Sequence, residues 1–206
     1  MYIPMNQANM TLNLFKRLFD QPPPGFQPGV TLGRALAELR GRVEFTKTDV
    51  SKAVLHTIDG NLNFEVQERV ERHFMMHIVA LKFTQNVPSV AVPGARIDVR
   101  NTGLLFRTGM ACATPARYRR DLQPIIYRLE GDRELAAALM ALDFRRCQVL
   151  GTGHGWCVCI EPYGASEVVN RMPSFRRYIR LEKSQGGALV AALQAFRRIL
   201  GTPPHA

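Results

Sequence analysis

The feature that most constrains this chain is a succession of short apolar runs, joined by turn residues and uninterrupted by any helical pattern, from Arg42 to Met110. Asp59-Gly60 stands between V-L-H-T-I and L-N-F-E-V. That dipeptide between two such runs predicts a hairpin, because both residue types tolerate the positive φ of a tight turn. Phe64 and Val66 alternate with Glu65, Gln67 and Arg69, so one face of that strand is wet and the other buried. Phe74 to Phe83 is nearly continuous in apolar residues, as a central strand would be. After a loop over Asn86 to Gly94, Ile97–Arg100 and Leu104–Phe106 are expected to pair around Asn101-Thr102-Gly103. A doubly wound parallel fold would need strands alternating with helices, and that alternation is missing.

Helical patterns gather around this run. Thr31 reads as the N-cap of a helix bearing Leu32, Ala35, Leu36 and Leu39, with Gly41 as its stop. Thr114-Pro115 predicts a helix start, with Pro124 kinking or restarting the helix. Gly131 closes that segment and Asp132 caps the next, E-L-A-A-A-L-M-A-L. Cys147–Leu150 and Trp156–Ile160 read as a last hairpin across G-T-G-H-G. Ser184 or Gln185 then opens a final helix with Leu189, Leu193, Phe196 and Leu200 on one face and Gly201 at its end. The predicted fold is therefore α+β, an antiparallel β-sheet with helices packed mainly on one face, plus an N-terminal amphipathic helix over Asn9–Asp20. Residues 1–25 are expected to hold that helix and a Pro-rich connector, residues 26–201 a single α+β domain, and residues 202–206 a disordered tail.

Composition narrows the class. In 206 residues, 46% hydrophobic and 21% charged, there is enough apolar surface for a core without disulfides or metals. No apolar run approaches the ~18 residues of a spanning helix. The N-terminus lacks the basic and apolar regions of a secretory signal, so a cytoplasmic location is expected. Cys112, Cys147, Cys157 and Cys159 are expected to be free, since a chain of this size does not need staples. Net charge is +10, and the second half of the chain carries most of it. Arginine, which grips carboxylates and phosphates with a planar fork, far outnumbers lysine. A solvated, arginine-rich surface of no special function explains the same count.

The chemistry-bearing residues concentrate in Ile160–Lys183, I-E-P-Y-G-A-S-E-V-V-N-R-M-P-S-F-R-R-Y-I-R-L-E-K. Read as a long loop, a form uncommon unless functional or disordered, it admits three roles. As a binding loop it would use Tyr163, Ser166, Asn170, Arg171, Arg176 and Arg177 to hold an acidic small molecule or protein partner. As a catalytic loop it would use Glu161 or Glu167 as general base, with arginines clamping an anionic substrate. As a purely structural loop it would pair its own glutamates and arginines. Binding ranks first, and catalysis last because no nucleophile–base pair accompanies it, so the enzyme question leans toward no. Arg117, Arg119 and Arg120 in one helix and Arg171, Arg176, Arg177 and Arg180 in this block, interleaved with Tyr118, Tyr163, Phe175 and Tyr178, keep nucleic-acid binding as a further alternative. It is not favoured, because no RNA- or DNA-binding signature occurs.

His73 and His77 in H-F-M-M-H would share a strand face with Met75, a weak metal candidate that lacks a third ligand, so structural histidines are the preferred reading. G-T-G-H-G-W is followed by a strand rather than a helix, which argues for a turn over a phosphate cradle. No cofactor is expected.

Pro28-Gly29-Val30-Thr31-Leu32 and Glu161–Arg171, E-P-Y-G-A-S-E-V-V-N-R, resemble an uncharacterised family of short bacterial proteins, a domain of unknown function. The resemblance covers most of the chain beyond residue 25. It implies a bacterial, cytoplasmic origin and brings no activity, cofactor or site residue with it.

Overall fold

Alternation along the strands decides how this molecule is layered. In the computed structural model, which describes residues 25–102 and 109–201, ten strands form one antiparallel sheet. They are β1 (Val43–Asp49), β2 (Lys52–Thr57), β3 (Asn63–Arg72), β4 (Met76–Pro88), β5 (Arg96–Thr102), β6 (Gly109–Ala113), β7 (Phe144–Thr152), β8 (Gly155–Pro162), β9 (Ser166–Arg171) and β10 (Ser174–Ile179). Four helices accompany them: α1 (Val30–Glu38), α2 (Arg119–Gly131), α3 (Arg133–Leu142) and α4 (Lys183–Gly201). The α+β class read from the sequence is the observed one. The N-terminal helix, the Leu104–Phe106 strand and the 202–206 tail lie outside the described residues.

The spatial order is β1-β2-β3-β4-β8-β7-β5-β6. Across it, Val66 pairs with Phe83, Phe83 with Ile160, Ile160 with Cys147, and Val99 with Cys147. Partners directly opposite in a ladder share a face, so these residues form the floor of the core. Leu32 and Leu36 of α1, Leu139 of α3, and Leu189, Leu193 and Phe196 of α4 complete it. Each such side chain contributes about 1.5–3 kcal/mol on burial. The opposite parity is polar: Glu65, Gln67 and Arg69 on β3, Lys82 and Thr84 on β4, Arg146 and Gln148 on β7.

β4 is thirteen residues long and needs two partners on one edge. Its second half pairs with β8, from Phe83↔Ile160 to Pro88↔Gly155. Its first half pairs with β9, from Val79↔Glu167 to Met76↔Asn170. β8 and β9 thus form one interrupted antiparallel partner. Six residues, 161–166, stand opposite only three of β4. Ala165, buried and at φ 57, turns the excursion. Ser166 Oγ donates to the Tyr163 carbonyl at 2.7 Å and closes it.

Segment 166–179, expected to be loop, is in fact the β9–β10 hairpin. Its β-type residues Val168, Val169, Phe175, Tyr178 and Ile179 were present, but arginines on an edge strand broke the apolar alternation. Among the described residues, β10 pairs with β9 alone and ends the sheet there.

Helix starts show where local signals were overruled. α1 is capped by Gly29, not Thr31, and its first amides are bonded by Glu68 from β3. Gly29 sits at φ 80, with the Val50 carbonyl where a Cβ would lie, so only glycine fits. Asp132 does cap α3, accepting from the Leu135 amide at 2.8 Å. α2 runs on through Pro124 rather than restarting. α4 begins one residue early, at Lys183, and includes Gly201.

Candidate functional site

The β9–β10 hairpin is held by the underside of α1, and charged groups do the holding. Glu167, 2% exposed, accepts two bonds from Arg176, Nε at 2.6 Å and Nη2 at 2.7 Å. Arg34 of α1 reaches the same carboxylate at 3.3 Å, and the Thr31 hydroxyl at 3.5 Å. The Arg176 fork, against the cost of burial, holds the Glu167 carboxyl below its ordinary range. Farther along, Glu38 of α1 accepts from the Tyr178 hydroxyl and the Leu181 amide, both at 2.9 Å, and the Arg34 guanidinium lies over the Tyr178 ring. Burial, then the Glu38 bond, pushes the Tyr178 phenol up, so it stays protonated as a donor.

Glu161 lies on the opposite face of the sheet from Glu167. It is 1% exposed and is met by Arg69 at 3.2 Å, Arg145 at 3.4 Å and Arg146 at 3.5 Å. Glu71 shares these arginines, with Arg145 as its nearest partner. The Arg145 bond keeps Glu71 below its ordinary range despite burial. The two glutamates singled out as candidate bases therefore do not share a site, and each is packed among arginines. Glu167, held charged by the Arg176 fork, serves poorly as a base near neutral pH.

The other residues singled out divide in the same way. Ser166 is buried within the excursion, and Arg176 is committed to Glu167. Tyr163 is exposed where the excursion begins, its amide donating to the Asp143 carbonyl at 2.9 Å. Asn170 Nδ2 donates to the Met172 carbonyl at 3.2 Å, bracing the hairpin turn. Arg171 closes β9 opposite Ser174, and its side chain lies outside the described set. His77 is buried on the core face, paired across the ladder with Arg72 and Val169. His73 precedes β4 in a turn closed by its amide on the Met76 carbonyl, so the two histidines do not line one strand. Among the described residues, no group of three or more His, Cys, Asp or Glu is placed to hold a metal.

Arg177 is the candidate that opens onto a cavity. A cleft of about 770 Å³ lies between the end of α1 and the segment joining β10 to α4, lined by Glu38, Arg40, Arg177, Tyr178, Arg180 and Lys183 among others. Four cations there face Glu38 and Glu182. Glu38 is occupied by Tyr178, Leu181 and Arg180, the last at 3.5 Å. The first turn of α4 lies at one end of the cleft and adds the partial positive charge of its free amides. Sequence reasoning singled out neither Arg40 nor Lys183. They lie far apart in the chain, and only the docking of α1 on the hairpin brings them together.

Among the described residues, no helix is long and apolar enough to cross a membrane. No curated protein and no solved structure gives a match to this chain. One family model matches residues 34–200, which span the sheet, the hairpin and the cleft, and the chain therefore belongs to the family described as "Protein of unknown function (DUF3156)".

Proposed function

We propose that this protein is a non-catalytic binding module for an acidic ligand, small molecule or protein segment, held in the cleft between α1 and the β10–α4 link. The observation that carries the reading is the excess of cations in that cleft: Arg40, Arg177, Arg180 and Lys183, with Glu38 already bonded to its own neighbours. An anion entering the cleft exchanges water for charge-assisted bonds from guanidinium forks, the stronger kind of hydrogen bond. The reading keeps Arg177 from the sequence-based set and moves its companions to Arg40, Arg180 and Lys183. The enzyme alternative is weaker, since Glu38 is bonded to its own neighbours and both Glu161 and Glu167 are packed among arginines. A bacterial cytoplasm is the setting we propose; four free cysteines suit a reducing compartment.

The test is a thermal-shift screen at low salt against di- and tricarboxylates, phosphate monoesters, acidic peptides and short oligonucleotides. A ligand at about 100 times its Kd stabilises by about 2.7 kcal/mol, a rise of roughly 5–10 °C for a domain of this size. We expect a carboxylate or phosphate response that Arg177→Ala/Arg180→Ala removes and Arg197→Ala leaves intact. Silence across the panel, or a response indifferent to the double variant, overturns the reading. A response confined to oligonucleotides transfers the case to nucleic acid.

A further inference from the structure

The sheet face turned away from the helices carries a pair of thiols that the anion cleft does not use. Cys157 and Cys159 lie two residues apart on β8, and strand alternation raises both side chains on that face, with Sγ···Sγ at 3.9 Å. β4 supplies their neighbours. Thr84 stands opposite Cys159 in the ladder, and Lys82, two residues before it on the same face of β4, brings its positive charge to bear on the Cys159 sulfur. Cys159 is 3% exposed and Cys157 is half-buried, so one sulfur is sheltered and the other opens outward. Cys112 and Cys147 project from the opposite face, flanking Val99 on the core side.

We propose that Cys157 and Cys159 form a two-thiolate site for a soft, thiophilic monovalent cation of the copper(I) class, with Lys82 as its counter-charge. Thiolate ligands select such cations over hard ones. With metal–sulfur bonds of about 2.3 Å, sulfurs at the observed separation subtend roughly 116° at the metal, between tetrahedral and trigonal angles. That angle leaves a position for an exogenous ligand, as in a site that accepts and passes on its metal. A structural zinc site wants four protein ligands, and the described residues offer no cluster of three. The low coordination number therefore points to the monovalent class.

Charge balances as well. Binding releases the two thiol protons, and two thiolates around a monovalent cation leave one net negative charge. The single Lys82 ammonium offsets it. Cys112 is pushed up to about 12 by burial and Glu130.

The experiment is an anaerobic titration of the reduced full chain with copper(I), supplied as its acetonitrile complex, against the chromophoric chelator bicinchoninate. We expect one equivalent to be withheld from the chelator. Cys157→Ser and Cys159→Ser should each weaken retention by about 100-fold, while Cys112→Ser matches wild type. Bicinchoninate taking all the copper from the wild type, or retention unchanged in both β8 variants, overturns the proposal. A second readout needs no variant: bound copper should protect Cys157 and Cys159 together from iodoacetamide in peptide mapping. Protection of Cys112 or Cys147 in their place refutes the site.

Discussion

Replacing Glu68 by glutamine should unfasten α1 from the sheet. The Glu68 carboxylate, 6% exposed on β3, receives the Leu32 amide on one oxygen at 2.8 Å. Its other oxygen receives the Gly29 amide at 2.8 Å and the Ser51 hydroxyl at 3.0 Å. No side chain of α1 itself caps the helix, so this one carboxylate satisfies amides that would otherwise be orphaned. Glutamine keeps the shape and one acceptor oxygen, but its NH2 must face at least one backbone N–H. The change therefore loses one or two charge-assisted bonds, each worth about 1.5–3 kcal/mol, and opposes a donor to a donor. Part of the loss is recovered if water enters near Gly29, which leaves roughly 3 kcal/mol. At about 2–4 °C per kcal/mol, Tm should fall by about 6–12 °C in calorimetry. Amide hydrogen exchange gives the local readout: protection at Gly33 and the following turn of α1 should drop before that of the central strands. A Tm within about 1 °C of wild type, with α1 exchange unchanged, would refute the idea that a residue from β3 supplies the cap.

Two further outcomes test the pairing of the hairpin and the tightness of a turn. Because the folded-state pKa of Glu167 is depressed by Arg176, its contribution is complete above the ordinary carboxyl value of 4.5 and is lost as pH falls below it. Glu167→Gln should therefore cost about 1–2 kcal/mol at neutral pH, discounted because Arg176 and Arg34 are part-exposed, and flatten the acid limb of a Tm–pH curve. An acid limb as steep as wild type would count against the pair. Gly155→Ala should destabilise by about 2–4 kcal/mol in urea unfolding, since φ is 134 and a Cβ would run into the Val87 carbonyl and the Ser89 amide. A wild-type urea midpoint would mean that the β7–β8 turn is far softer than its geometry implies.

The sheet was legible because its signals are local. Asp59-Gly60, the alternation of Phe64 and Val66, and the Asp132 cap each act within a few residues, and each appears where the pattern put it. What escaped reading depends on contacts between distant segments. Thr31 has the chemistry of a cap, yet a glutamate 36 residues beyond Leu32 bonds the α1 amides instead. β10 carries strand-forming residues, but its edge position let arginine replace the apolar alternation by which strands are recognised. Glu161 and Glu167 are close in sequence and were grouped on that basis. The excursion between β8 and β9 sends them to opposite faces of the sheet. The cleft draws one wall from α1 and the other from residues about 140 positions later, a juxtaposition with no local trace.

The edge at β10, unpaired among the described residues, has a consequence for how copies of this molecule meet. A strand with one partner offers its outer row of amides and carbonyls to any extended chain, including another copy of itself. Two copies joined there antiparallel would bring the Arg177 side chains of both close together, and like charges across a ladder repel. An acidic strand would meet no such barrier, so the edge sorts visitors by sign. Salt screens both effects alike, so rising ionic strength blunts the preference for acidic strands and also lowers the barrier that keeps two molecules apart.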